Sequence, residues 1–193
     1  MDKKRVEEIL TISGVLMQGH FLLTSGRHSD KYMQCAKIQQ YPWFMEELAS
    51  SICSEFSSDK VDMVVSPAVG GIIMGYELAR QLKVRNAFAE RVEGKMALRR
   101  DFTIPEGARV IVAEDVVTTG GSVMEVIELV RQAGAVLAGV AVLVDRSGGK
   151  IDFGAKLAAA YTAEVISYSA DDCPICKAGE IPLIKPGSRN LPK

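Results

Sequence analysis

The sequence predicts an α/β protein whose central, mostly parallel sheet is flanked by helices and carries a small N-terminal hood. Three observations lead there. Apolar runs at 61–65, 109–113 and 137–144 read as buried strands. Helical patterns separate them, and continuous apolar strands alternating with helices imply a parallel sheet covered on both faces. Polar, glycine-containing turns follow the runs, and ligands of such sheets bind at the carboxyl ends of the strands. The turns after residues 65, 113 and 144 are therefore the places to look for chemistry.

Taken in order, residues 3–10 suit a short helix, and two candidate strands follow around 21–23 and 32–38. These first forty residues form the hood of one domain spanning 1–193. Pro42 fits the first turn of a helix reaching about Glu55, because proline there sacrifices no needed hydrogen bond. Strand 61–65, helix 72–82 and strand 84–90 come next. After strand 109–113, Val123, Val126, Ile127 and Val130 fall at i, i+3, i+4 and i+7, one apolar helical face. Gly134 is placed to stop that helix in a left-handed conformation.

A chain of 193 residues is long enough for one domain with a sizeable core. The net charge of −1 supplies no basic field for nucleic acid or an acidic membrane. The charged N-terminus lacks the apolar stretch of a signal peptide. The longest apolar run, 136–144, is interrupted by Gly139 and too short to span a bilayer. These features lead us to expect a cytoplasmic protein with no nucleic-acid or membrane partner.

The turn after residue 113 reads Glu114-Asp115-Val116-Val117-Thr118-Thr119-Gly120-Gly121-Ser122. Glycines let the backbone approach an anion, while the hydroxyls and free N–H groups of a helix start donate to phosphate oxygens. Two carboxylates beside them can accept hydrogen bonds from vicinal sugar hydroxyls. The plainer reading, Thr and Ser merely capping a helix, would suffice for Thr-Gly-Gly alone but leaves the acid pair unexplained. No lysine follows the glycines, so this is not a P-loop, and it is not a GxGxxG dinucleotide turn.

The segment resembles, position for position, the phosphoribosyl diphosphate signature of type I phosphoribosyltransferases. The resemblance implies that fold, with Glu114 and Asp115 on the ribose hydroxyls and Thr118 to Ser122 on the 5-phosphate. Ser66-Pro67-Ala68-Val69-Gly70-Gly71 also joins a strand to a helix start and suits an anion. By the same resemblance Ala68, Val69, Gly70 and Gly71 hold the donor's pyrophosphate, with Mg²⁺ carried by the substrate rather than by a protein metal site. Strand-to-helix turns of this composition are also common as purely structural connections.

Two further segments bear on the acceptor. Leu22-Leu23-Thr24-Ser25-Gly26-Arg27-His28-Ser29 resembles the LxSGRxS segment of orotate phosphoribosyltransferases, and Val142-Leu143-Val144-Asp145-Arg146 resembles their strand ending in Asp-Arg. An arginine there is chemically apt, since a guanidinium grips the carboxylate of orotate in two places and purines carry no such group. A surface ion pair with Asp145 is the plainer account of Arg146. The resemblance implies that Ser25, Gly26, Arg27, Thr118 and Arg146 bind orotate.

Residues 90–101 read as a charged hairpin turning at Gly94, or as the mobile cationic loop that closes on departing pyrophosphate. Arg91 and Lys95 keep the four-residue spacing of the Arg and Lys in the family's catalytic loop, and with Asp115 they are the expected catalytic residues. The longer family form has lysines where this chain has Thr24 and Gly70, and a histidine in a longer loop. The resemblance further implies a homodimer whose loop serves the neighbouring site.

Cys173-Pro174-Ile175-Cys176 has the spacing of half a zinc site. Cys35 and Cys53 lie far away in apolar settings, Asp171 and Asp172 are possible ligands, and both histidines, His20 and His28, are N-terminal. A plain C-terminal turn with two thiols is expected.

The resulting expectation is an orotate phosphoribosyltransferase of pyrimidine biosynthesis: orotate and phosphoribosyl diphosphate to orotidine 5-phosphate and pyrophosphate. The rivals are a purine transferase and a non-catalytic sensor of phosphoribosyl diphosphate on the same fold.

Overall fold

The computed structural model describes residues 1–23, 25–163 and 166–186; Thr24, where the longer family form has a lysine, lies outside them. Helix α1 (Lys3–Ile12) leads into a two-stranded antiparallel hood, β1 (Leu16–Leu22) and β2 (His28–Met33). The chain then coils through a 3-10 helix (Cys35–Gln40) into α2 (Pro42–Glu55), which starts at Pro42. The anticipated strand at 32–38 therefore stops at Met33. Cys35 and Ile38 are the buried residues of the next segment, and their spacing of three matches the 3-10 repeat.

The main sheet comprises β3 (Met63–Pro67), β4 (Arg85–Val92), β5 (Lys95–Leu98), β6 (Arg109–Val117), β7 (Val136–Asp145) and β8 (Leu157–Thr162), in the order β5-β4-β3-β6-β7-β8. All neighbours are parallel except the β4–β5 hairpin. Helix α3 (Gly71–Leu82) connects β3 to β4, and α4 (Gly121–Gln132) connects β6 to β7. Alternate residues of each strand feed different cores. Val64, Ile111, Ala141 and Leu143 pack with Ile9, Leu48, Ile52 and Leu78 on one face. Val65, Val110, Val112 and Val142 pack with Val123, Val126, Ile127 and Val130 on the other.

The connection from β3 runs toward one edge of the sheet and that from β6 toward the other. A crevice opens between their carboxyl ends, the point where ligands of open α/β sheets bind. Strand β6 continues through Val117, four residues beyond the expected end, because its pairing with β7 persists to Val117 opposite Asp145. Both acids are thereby held in a strand rather than in a loop.

The C-terminal segment turns back onto the hood. Ile184 bridges to Phe21 of β1 and Tyr168 to His28 of β2. Short helix α5 (Pro174–Ala178) follows Cys173. The expectation of a plain turn with two isolated thiols is corrected here: His20 and His28, remote in sequence, reach Cys173 and Cys176 because strand bridges carry the chain end back to its beginning. No helix among the described residues is long and apolar enough to cross a membrane.

Candidate active site

Two turns meet over one acid pair. In the turn after β3, a Cβ added to Gly70 would lie 2.8 Å from both carboxylate oxygens of Asp115, and one on Gly71 would lie 3.0 Å from Glu114 Oε1. Glycine is what lets these backbones settle on the acids. The side chain of Gln39 donates to the Gly70 carbonyl at 2.8 Å and fixes the turn to the 3-10 helix.

Glu114 is buried and Asp115 partly so. Glu114 Oε1 accepts a hydrogen bond from the Asp115 backbone N–H at 3.1 Å. Burial, and then the neighbouring Asp115 charge, push the Glu114 carboxyl up to about 8. Burial also raises Asp115. Two carboxylates this close and this dry do not ionise freely together. The pair thus waits for hydroxyl donors or a hard cation, and oxygen ligands of this kind fit Mg²⁺.

Past the acids, Val116 to Ser122 wrap a cleft of about 260 Å³ that also borders Arg91, Glu114 and Glu125. Gly120 adopts φ 79°, and a Cβ there would meet Phe153 at 2.9 Å, so the turn requires glycine. Helix α4 starts at Gly121 on this cleft, and a helix N-terminus leaves backbone N–H groups free to bind an anion.

The 90–101 segment is the β4–β5 hairpin, turning through Glu93 and Gly94, both at positive φ. Arg91 pairs with Glu125 of α4 at 2.8 Å, and its guanidinium also donates to the Gly94 carbonyl. Arg91 therefore stands at the rim of the phosphate cleft. Lys95 is exposed, with no ion pair among the described residues. Arg100 is engaged with Glu90.

Arg146 follows the end of β7, and its backbone N–H donates to the Val117 carbonyl at 2.8 Å. It does not pair with Asp145. That carboxylate accepts instead from Ser147 N, Ser147 Oγ and Gly149 N at 2.6–2.8 Å, shaping the turn. Arg146 Nε is buried with no hydrogen-bond partner among the described residues. Val117 of β6 pairs with Asp145 of β7, so Arg146 leaves its strand next to the end of the strand that carries Glu114 and Asp115. The hood lies over Arg146, and Lys31 and Tyr32 of β2 line the same narrow cavity. Sequence reasoning missed Lys31, since a lone lysine in a short strand gives no signal until the hood is folded. Arg27 turns toward the C-terminal segment, donating to Ser167 Oγ at 2.8 Å and to the Ser167 carbonyl at 2.5 Å. No hydrogen bond joins it, Ser25 or Gly26 to Thr118 or Arg146 among the described residues.

Comparison with known proteins decides the family. The phosphoribosyl transferase domain profile matches residues 44–156. An orotate phosphoribosyltransferase of Caldanaerobacter subterraneus subsp. tengcongensis is 53% identical over 191 residues, covering 99% of this chain and 100% of that one. The chain belongs to the orotate phosphoribosyltransferase family. A second family member, from Pelotomaculum thermopropionicum, is 51% identical over the same coverage. Among solved structures, the orotate phosphoribosyltransferase of Aeropyrum pernix superposes with a TM-score of 0.70 at 26% identity, covering 81% of this chain and 93% of that one. The type I phosphoribosyltransferase fold expected from the acid pair and the Thr-Gly-Gly turn is the fold observed.

Proposed function

We propose that this orotate phosphoribosyltransferase transfers the 5-phosphoribosyl group of phosphoribosyl diphosphate to the ring nitrogen of orotate, a step of pyrimidine biosynthesis. The observation that carries the choice of acceptor is Arg146. A buried guanidinium N–H without a partner is costly, and Arg146 follows the strand end paired with β6, which carries the acid pair that would hold the ribose. The orotate carboxylate satisfies it, with Lys31 adding a second positive charge, whereas a purine leaves it unpaired. Thr118 lies at the adjoining strand end to bond the ring, and Ser25, Gly26 and Arg27 belong to the hood that covers it.

Donor binding divides among the elements already described. Thr118 to Ser122 hold the 5-phosphate, Glu114 and Asp115 accept from the ribose hydroxyls, and the Ala68 to Gly71 turn takes the pyrophosphate. Arg91 and Lys95 on the hairpin bring positive charge to the departing pyrophosphate, where the hairpin excludes water as it closes. Mg²⁺ carried in with the donor would supply charge neutralisation for the pyrophosphate, and the oxygens of Glu114 and Asp115 are ligands of the kind it takes. No covalent nucleophile is required, because positioning and charge stabilisation carry an oxocarbenium-like ribosyl centre.

A homodimer fits the same surface. Ile73 and Tyr76 are exposed three residues apart on α3, just past the pyrophosphate turn, an apolar patch that a second copy would cover.

Arg146→Ala tests the acceptor assignment. Losing charge-assisted bonds of about 1.5–3 kcal/mol should raise KM for orotate roughly 10- to 150-fold, with KM for the donor little changed. Unaltered orotate kinetics would remove Arg146 from the site.

A further inference from the structure

We propose that His20, His28, Cys173 and Cys176 form a structural zinc site that clamps the C-terminal segment onto the hood. The proposal stands apart from the catalytic reading, since none of the four residues belongs to the crevice.

The four potential ligand atoms lie within 4.8 Å of one another. His20 Nε2 is 3.0 Å from His28 Nδ1, 3.4 Å from Cys173 Sγ and 3.5 Å from Cys176 Sγ, while Cys176 Sγ is 3.3 Å from His28 Nδ1. A tetrahedral zinc ion, bound at about 2.0–2.1 Å to nitrogen and 2.3 Å to sulfur, spaces its ligands about 3.3–3.8 Å apart. The cluster has nearly those dimensions and the two-thiolate, two-imidazole donor set that suits zinc.

Hydrogen bonding among the four groups does not account for the arrangement. His20 Nδ1 lies 3.1 Å from the Ile181 carbonyl, so it carries the proton and leaves Nε2 a single lone pair. Three polar atoms converge on that lone pair. One hydrogen bond can use it, whereas a central cation takes a lone pair from each of the four ligands. The bond to Ile181 is also the outer contact that orients a metal-binding imidazole. His20, His28 and Cys173 are buried and Cys176 is exposed, which gives a closed site with one side open for entry. Four protein ligands leave no position for substrate, so the role is structural.

The fold supplies the need. Of the described residues 166–186, only Cys173 is buried, so the segment has almost no apolar anchor of its own. It nonetheless makes the Ile184 bridge to β1, the Tyr168 bridge to β2 and the Ser167 contact with Arg27. A metal tie between the β1–β2 pair and the Cys-x-x-Cys turn would hold these weak contacts in register.

The test is metal analysis of the whole protein, purified without chelator from zinc-supplemented cells, alongside Cys176→Ser and His28→Asn. Wild type should carry about one zinc per chain, and each variant less than about a tenth of that. Cobalt exchanged into wild type should give intense visible bands of a tetrahedral ion and near-ultraviolet thiolate charge transfer. Chelation should speed tryptic cleavage after Lys177 at least several-fold. Zinc-free wild type that takes up no cobalt, a Cys173–Cys176 disulfide, or full zinc retained in Cys176→Ser would each overturn the proposal. Should the variants fail to fold, the zinc count and cobalt spectrum of wild type decide alone.

Discussion

Glu114→Gln isolates what the buried acid pair does. With its carboxyl raised to about 8 by burial and the Asp115 charge, Glu114 holds its proton at neutral pH in the empty enzyme. Ribose hydroxyls donate hydrogen bonds and need acceptors, so donor binding should expel that proton, up to about one per site at pH 7. An unfolded glutamate ionises near 4.5, whereas the folded one holds its proton to about 8. Between these values the native state binds a proton that the unfolded state lacks, and stability falls as pH rises. The whole displacement is worth at most about 5 kcal/mol, and the raised Asp115 acts in the same direction. Glutamine keeps the shape and removes the titration. Calorimetry of donor binding in buffers of different ionisation enthalpy counts the proton, and urea midpoints from about pH 5 to about pH 9 follow the stability. The variant should release less than half of the wild-type proton count, lose most of the stability slope and bind donor more weakly. Buffer-independent binding heats in wild type, together with flat urea midpoints, would refute the reasoning.

Gly70→Ala places a Cβ where Asp115 oxygens lie 2.8 Å away. Displacing that carboxylate should lower kcat/KM for the donor roughly 10- to 150-fold, the loss of one charge-assisted bond. Unchanged kinetics would show slack between turn and acid. For the hairpin, Lys95→Ala and Asp115→Asn subunits, each nearly inactive, can be mixed under conditions of proven exchange. If Lys95 serves the neighbouring site of a dimer, activity should recover to roughly a quarter of wild type, because half the dimers are hybrids with one intact site each. No recovery would place Lys95 in its own subunit's site.

Much of the sheet was legible in the sequence because its signals are local. Pro42 marks the start of α2, and the Val123, Val126, Ile127 and Val130 face is the buried face of α4. The acid pair and the Thr-Gly-Gly turn were legible because few structural demands explain both together. Strand β8 was not: Leu-Ala-Ala-Ala-Tyr-Thr has little intrinsic strand preference and is extended because it pairs with β7. Lys31 beside Arg146 appears only once β2 folds over the crevice. The His20, His28, Cys173 and Cys176 cluster has no sequence spacing to announce it, since its halves come from opposite ends of the chain.

The most direct measurement of the central claim follows substrate consumption by absorbance with phosphoribosyl diphosphate and Mg²⁺, offering orotate, adenine, hypoxanthine and xanthine in parallel. Orotate alone should be consumed, with one pyrophosphate released for each orotate lost. Turnover of a purine at comparable rate, or donor binding with no turnover of any acceptor, would contradict the account.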